Sequence, residues 1–273
     1  MRAAEEPRAC VARGSSRAPR APRAPRAPRA PSSEDARSSL AARLERLDWD
    51  ALERSLWDRG WSKTGAPVLT PEECSGLVAL YADDARFRSR VDMERFRFGV
   101  GEYKYFADPL PPLVQELREG AYPRLAAVAN AWTKALGVRR RFPQTLRALQ
   151  AACRKAGQTK PTPLLLRYET GGYNCLHQDL YGEIAFPLQL TCVLSRRGAD
   201  YTGGDFLLVE QRPRQQSRGE SIALEQGEII IFTVRERPVK GARGYYRAAM
   251  RHGVSRLLSG TRTSLGVIFH DAR

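Results

Sequence analysis

The stretch "YNCLHQDLYG" at residues 173–182 places a histidine and an aspartate two positions apart. On a β-strand, residues i and i+2 face the same side, so His177 and Asp179 would present an imidazole and a carboxylate together while Gln178 faces away. Two imidazoles and one carboxylate are the ligand set of a non-haem Fe(II) site with open positions. The pair therefore predicts two of the three ligands, and a second histidine must come from elsewhere in the chain.

Only His252 and His270 remain as candidates for the third ligand. If the open positions hold 2-oxoglutarate, its far carboxylate needs a fixed cation, and the planar fork of arginine suits a carboxylate better than lysine does. Arg262 lies ten residues after His252, across a predicted Ser-Gly turn, and Ser264 would share its face. His270 is too near the C-terminus for a following strand to supply such an anchor. This reasoning predicts His252 as the ligand, with Arg262 and Ser264 binding the cosubstrate.

Other polar residues near these positions leave alternatives open. Arg251 and Arg256 flank His252 and are alternative anchors, although charged residues at such places are more often solvated. A His-x-Asp pair alone also arises as an ordinary polar patch on a strand. The specificity of the prediction therefore comes from the whole set of residues in its order along the chain.

The combined motifs resemble those of the Fe(II)/2-oxoglutarate-dependent oxygenase superfamily. The short interval between His252 and Arg262 is similar to the prolyl-hydroxylase branch, whereas "LLLRYETGGYNCLHQD" resembles the strand that AlkB demethylases place before their iron ligands. The AlkB resemblance implies that Tyr168 contacts 2-oxoglutarate. From about Leu47 to Arg273 the chain looks like a bacterial family of such oxygenases whose label supposes action on damaged DNA.

The resemblance implies a double-stranded β-helix, or jelly roll, of the α+β class, with N-terminal helices packed on the major sheet. It also implies Fe(II), 2-oxoglutarate and O2 as the reacting partners of the site. One expected activity is oxidative demethylation of damaged nucleic acid, as in DNA repair. A second is hydroxylation of a protein or amino acid of the prolyl type, and a third reading is a noncatalytic jelly-roll binding module.

The remaining sequence divides into three parts: a disordered basic Arg-Ala-Pro tail at 1–37, a mainly helical region at 38–160 and the oxygenase core at 161–273. Helical spacing and capping signals predict four helices, at 38–60, from Thr70 onward, at about 111–136 and at about 143–156. Thr70 and Glu73 have the spacing of a capping box. After Pro163, short apolar runs separated by glycine turns predict the strands of the jelly roll.

The chain carries a net charge of +15, of which residues 1–31 contribute +6 (eight arginines and two glutamates) and the remainder +9. This surplus favours a nucleic-acid partner, and basic clusters at 139–142 and 212–218, with Phe142 and Tyr245-Tyr246 as neighbouring aromatics, are compatible with base stacking or with packing. No apolar run is long enough to cross a membrane, and a cytoplasmic location is expected. The five cysteines form no CxxC pair and indicate neither a disulfide framework nor a structural zinc site.

Overall fold

The structure is a computed structural model that describes residues 38–273, so the predicted Arg-Ala-Pro tail at 1–37 lies outside the described residues. Within this range the chain forms five α-helices, which are α1 (Leu40–Glu45), α2 (Trp49–Arg59), α3 (Pro71–Ala79), α4 (Pro112–Ala135) and α5 (Leu146–Lys155). None of these helices combines the length and the apolar character that a membrane crossing requires.

The same range contains fourteen β-strands. They are β1 (Trp61–Lys63), β2 (Phe87–Asp92), β3 (Gly99–Val100), β4 (Glu102–Phe106), β5 (Leu164–Glu169), β6 (Tyr173–His177), β7 (Leu188–Val193), β8 (Tyr201–Gly203), β9 (Phe206–Gln211), β10 (Arg218–Ile222), β11 (Ile229–Thr233), β12 (Glu236–Gly241), β13 (Gly244–Val254) and β14 (Leu257–Ile268).

The predicted helix at 38–60 is two helices rather than one. The Asp48 side chain accepts a hydrogen bond from the Ala51 amide at 2.9 Å, and this N-cap begins α2 afresh instead of continuing α1. The capping box of α3 is confirmed, because Thr70 and Glu73 each accept a hydrogen bond from the other's backbone amide. The leucine spacing predicts one continuous helix, but the hydrogen bond from the Ala51 backbone amide to the Asp48 side chain starts a second helix at this point.

Four strands, β1 to β4, arise within the region that the sequence predicts as mainly helical. β1 pairs with β11 and β4 pairs with β5, while β3 pairs with β6. These strands are short and rich in charged residues, so they lack the apolar runs that reveal the central strands. The N-terminal region therefore extends both sheets as well as covering one of them.

In the described range, the larger sheet has the order β1-β11-β7-β14-β5-β4-β2, with β8 added beside β14. The smaller sheet has the order β10-β9-β13-β6-β3, with β12 added beside β13. Successive central strands pass from one sheet to the other, so β5, β7, β11 and β14 lie in one sheet while β6, β9, β10 and β13 lie in the other. This is a double-stranded β-helix, and the predicted α+β jelly roll is confirmed.

The helices cover the outer face of the larger sheet, and the alternation of β7 shows how the core is divided. Leu188, Leu190 and Cys192 belong to the cluster that includes the buried residues of all five helices. Gln189, between two of them, points instead into a cavity between the sheets. The predicted packing of the N-terminal helices on the major sheet is thus confirmed, and the inward face of the same strands is left to form a site.

The end of β14 is tied to the helical layer by a buried ion pair. The Arg118 guanidinium on α4 donates to the Asp271 carboxylate and to the Phe269 carbonyl oxygen, both at 2.8 Å. Because both partners are buried and hydrogen-bonded, removing one alone would leave an uncompensated charge. This contact holds the last strand against the helices and so fixes the position of the residues along it.

Candidate metal centre

The pairing of β6 with β13 brings two histidines face to face. His177 and His252 are directly opposite one another in this antiparallel pair, with ring centroids 4.2 Å apart. β6 ends at His177, so Asp179 lies in the following loop, yet its carboxylate lies 3.5 Å from His177 Nε2 and 3.2 Å from His252 Nε2. One ligand atom from each of the three residues lies within 4.8 Å of the other two. The cluster has the composition and size of a metal site.

The hydrogen bond of His177 selects the nitrogen that can bind a metal. His177 Nδ1 lies 2.8 Å from the Cys175 carbonyl oxygen, and because a carbonyl can only accept, Nδ1 carries the proton and donates it. Once the imidazole is neutral, Nε2, which faces the cluster, is therefore the nitrogen whose lone pair a metal can take. A backbone carbonyl that sets the tautomer in this way is the usual partner of a metal-binding imidazole.

The charges of the cluster are set by burial and by mutual contacts. Burial opposes ionisation of Asp179, but hydrogen bonds from both imidazoles hold the pKa of this carboxyl well below its usual range. Burial lowers the pKa of His252, so this imidazole is neutral. Burial also acts to lower the pKa of His177, yet its contacts with Asp179 raise that pKa overall. The carboxylate is therefore ionised as ligation requires, and a metal would displace the proton from the Asp179–His177 contact.

Three residues that sequence reasoning missed orient the carboxylate of Asp179. The Tyr181 hydroxyl donates to Oδ1 and the Gln189 amide donates to Oδ2, each at 2.9 Å, and Tyr105 donates to the Tyr181 hydroxyl at 3.2 Å. A signal for Gln189 was present in the sequence, because it is a polar residue at an inward position of the apolar strand "LQLTCV". These contacts hold both carboxylate oxygens toward the cluster.

Gln178 lies in the loop after β6, so strand alternation does not apply to it, and its side chain anchors this loop. Its amide nitrogen donates to the Met250 carbonyl oxygen at 2.8 Å and to the Arg235 carbonyl oxygen at 3.0 Å. Met250 lies on β13, two residues before His252. The residue between His177 and Asp179 thus ties the loop to the strand that supplies the second imidazole.

A second group of predicted residues lies on the neighbouring strands of the larger sheet. Arg262 on β14 is directly opposite Tyr168 on β5, and its guanidinium lies 5.8 Å from the Tyr168 ring centroid and 5.9 Å from that of Tyr201. Nη1 donates to the Ser264 hydroxyl at 3.2 Å. Burial raises the pKa of Tyr168 to about 12, so its hydroxyl stays neutral, and it accepts a hydrogen bond from Asn174.

Arg262 is only 1% exposed, and among the described residues it forms no ion pair and its Nε has no hydrogen-bond partner. A buried guanidinium without an anion is costly, and an anionic ligand that reaches it would remove that cost. The alternative anchors differ, since Arg251 and Arg256 are exposed and Arg256 lies over the Tyr173 ring. Of these three arginines, Arg262 is therefore the one that is buried inside the fold.

Both groups line one cavity of about 420 Å³ between the two sheets. All six predicted residues contribute to its wall, namely Tyr168, His177, Asp179, His252, Arg262 and Ser264. His270 does not; it is fully buried, and its Nδ1 accepts a hydrogen bond from the Phe186 amide. The His-Asp-His cluster and the buried Arg262 thus line one cavity.

Comparisons with known proteins agree with this chemistry. The sequence model of a family described as an oxygenase catalysing oxidative methylation of damaged DNA matches residues 101–272. Uncharacterized proteins of two Mycobacterium tuberculosis strains, CDC 1551 / Oshkosh and H37Rv, are each 48% identical over 167 residues, which is 61% of this chain and 72% of theirs. The family match alone covers more than half of the chain.

Solved structures were also found to be similar. A Pseudomonas putida prolyl-4-hydroxylase is 14% identical, with a TM-score of 0.48, over 82% of this chain and 99% of that chain. A Burkholderia pseudomallei oxidoreductase of the 2OG-Fe(II) oxygenase family has the same identity and TM-score over 83% of this chain and 94% of that chain.

Gly253 allows the close approach of β13 to β6 on which the cluster depends. A Cβ at this position would lie 2.6 Å from the Asn174 carbonyl oxygen and 3.2 Å from that of Cys175. We expect Gly253→Ala to push the two strands apart and lower the free energy of unfolding by about 1–3 kcal/mol. Urea unfolding measures this change.

Gly219→Ala on β10 is the matched control, because a Cβ there meets no atom within 4 Å. It should be neutral or slightly stabilising, since alanine restricts the unfolded chain. Equal unfolding free energies for the two variants would contradict the role assigned to Gly253.

Proposed function

The chain belongs to this family of oxygenases, and we propose that it is an Fe(II)- and 2-oxoglutarate-dependent dioxygenase that hydroxylates a C–H bond. The observation that carries the proposal is the shared cavity, in which a His-Asp-His cluster lies near a buried arginine without an anionic partner. A metal site alone would be compatible with many reactions. The added cation is what favours a cosubstrate that carries a second carboxylate.

The residues present fit both groups. His177, Asp179 and His252 would hold iron through two imidazole nitrogens and one carboxylate oxygen, a set that suits Fe(II) and leaves positions open. Arg262 and Ser264 would hold the far carboxylate of 2-oxoglutarate, with Tyr168 beside them. The unpartnered Nε of Arg262 supports this assignment, since it offers a donor that nothing in the described residues uses.

When bound, iron and 2-oxoglutarate supply the oxidation, in which O2 is consumed, the cosubstrate becomes succinate and carbon dioxide, and one oxygen atom enters the substrate C–H bond. The protein contributes position and environment. Tyr181 and Gln189 orient the Asp179 carboxylate, and the Cys175 carbonyl fixes the His177 tautomer. Arg262 and His252 are both buried, so the cation and the ligand that they supply lie inside the fold.

For the substrate, we propose a damaged nucleic acid that carries a methyl group on nitrogen. The family description and the net charge of +9 outside residues 1–31 support this choice. Hydroxylation of such a methyl group gives a product that collapses to formaldehyde and the demethylated base. The ten-residue interval between His252 and Arg262, similar to that of prolyl hydroxylases, favours a protein or amino-acid substrate as the second candidate.

Anaerobic addition of Fe(II) and 2-oxoglutarate should produce a weak visible charge-transfer band. We expect His252→Ala to abolish the band, because it removes one of three ligands, while His270→Gln retains it, because His270 lies outside the cluster. Absorption spectroscopy measures both. A correctly folded wild-type protein without the band would instead favour a noncatalytic binding module.

Replacing Arg262 by alanine should raise the 2-oxoglutarate concentration needed for half-maximal succinate formation by roughly 10- to 100-fold, since hydrogen bonds to charged groups contribute about 1.5–3 kcal/mol. The Fe(II) requirement should change little. Arg251→Ala, an exposed arginine beside the cluster, is the control and should change neither. A variant of Arg262 that needs more iron but no more 2-oxoglutarate would refute the anchor.

A substrate panel scored by succinate release tests the substrate class. Single-stranded DNA and RNA with N-methylated bases should stimulate release above the level without substrate, with formaldehyde as coproduct. Proline-containing peptides and free amino acids should not. Stimulation by the peptides alone would replace the nucleic-acid proposal with the second candidate.

A further inference from the structure

Large apolar side chains are exposed around the mouth of the cavity. Phe98, Leu176 and Leu180 line it and are 48%, 42% and 45% exposed. Phe96, which is 52% exposed, stacks on Phe98 with ring centroids 5.7 Å apart and planes inclined by 21°. A contiguous exposed apolar patch on a soluble protein usually marks a binding surface, and this one lies at the entrance to the reacting groups.

The two phenylalanines lie on a tight turn between β2 and β3. The Met93 carbonyl oxygen accepts hydrogen bonds from the Phe96 and Phe98 amides, at 3.2 and 2.9 Å, and the Met93 side chain is fully buried. The Cys175 amide donates to the Phe98 carbonyl oxygen at 2.8 Å, which ties the turn to β6 just before His177. The backbone that carries the two rings is therefore held beside β6 by these contacts.

Arg97 adopts a left-handed backbone conformation with a φ of 59°. For a residue other than glycine this conformation costs on the order of 1 kcal/mol, and such costs cluster at binding sites. It directs the Arg97 side chain to the cavity wall, while Phe96 and Phe98 flank it in the chain. The turn thus contains a strained residue whose cation lies at the cavity wall, next in the chain to the two stacked rings.

The cations of the turn have no ion pair among the described residues. The Arg95 guanidinium lies 5.8 Å from the Phe96 ring centroid, and Arg97 lines the cavity. Asp92 ends β2 and Glu94 lies in the turn, and one Asp92 oxygen accepts a hydrogen bond from the Glu94 amide. Along the chain, two arginines alternate with two phenylalanines whose rings form one exposed stack, which offers both aromatic surface for bases and cations for phosphates.

The aromatics that the sequence offered for stacking have other partners. Phe142 is buried, with its ring 5.0 Å from that of Phe186, and Tyr245 packs 5.8 Å from Trp57. Both therefore contribute to packing, although the Tyr245 side chain is also 44% exposed. The exposed stacked pair is on the turn at the cavity mouth instead.

We infer that the turn from Arg95 to Phe98, with Leu176 and Leu180, is a platform for single-stranded nucleic acid. Unpaired bases stack on Phe96 and Phe98, and Arg95 and Arg97 contact phosphates, so that one nucleotide is directed into the cavity. A base held in a duplex does not reach an enclosed site without leaving the stack. The inference rests on the proposed nucleic-acid function and assigns the residues that recognise the strand.

The test is fluorescence anisotropy of the full-length protein with a labelled single-stranded DNA of about 12 nucleotides, a length within the range that such surfaces cover. Phe96→Ala and Phe98→Ala should each weaken binding by about tenfold, because one stacked base loses its partner. Arg97→Gln should weaken binding and lower the slope of log affinity against log salt by about 0.7, the value for one phosphate contact with a single strand.

Two control variants match these changes. Leu258→Ala removes an exposed apolar side chain outside the cavity lining, and Arg147→Gln removes an exposed arginine on α5, which is also outside the lining. Both should bind the DNA as the wild type does. Platform variants that bind like the wild type, or controls that weaken binding equally, would overturn the inference. So would a proline-containing peptide whose binding alone depends on the platform residues.

The outcomes separate the platform from the reaction. Undiminished DNA binding by the platform variants, together with succinate release stimulated by methylated DNA, would remove the platform and leave the proposed function intact. Platform-dependent DNA binding without any stimulation by methylated DNA or RNA would support the platform and count against nucleic-acid oxidation.

Discussion

The antiparallel pairing of β6 with β13 is the constraint on which the site depends. It sets His177 opposite His252, and the loop that follows β6 then returns Asp179 to both imidazoles. Gly253 allows the strands to approach, and Gln178 fastens the loop to β13 through the Met250 carbonyl oxygen. The other edge of β6 pairs with β3 and holds the aromatic turn, so one strand positions both the cluster and the mouth of its cavity.

The larger sheet shows how one strand serves both stability and binding. Along β14, Leu265 and Val267 pack against the helices, while Arg262 and Ser264 face the cavity. The helices thus hold the strand through its apolar face. The opposite face carries a buried guanidinium whose charge no described residue neutralises, and this burial destabilises the fold. Because the rigid sheet bears this cost, the arginine is already in place before any anion arrives.

Much of this site could be predicted from the sequence, because its chemistry follows strand alternation. His177, His252, Arg262 and Ser264 lie on strands whose order along the chain was readable from apolar runs and glycine turns. The placement of Gln189 against Asp179 depends on how two distant segments fold together, which spacing does not reveal. The same limit explains why the short N-terminal strands, recognisable only by their partners, were missed. At Asp48, local capping chemistry overrode a helical pattern that looked continuous.

The two ends of the cavity depend on different parts of the fold. The inner end, with Arg262 and the cluster, is fixed by pairings within the central sheets and could not move without disturbing the core. The mouth depends on one turn at a sheet edge, whose residues are exposed and whose strain is confined to Arg97. Substitutions in that turn would therefore change what enters the cavity at little cost to folding. This separation is why the residues that reveal the oxidation chemistry do not by themselves reveal its substrate.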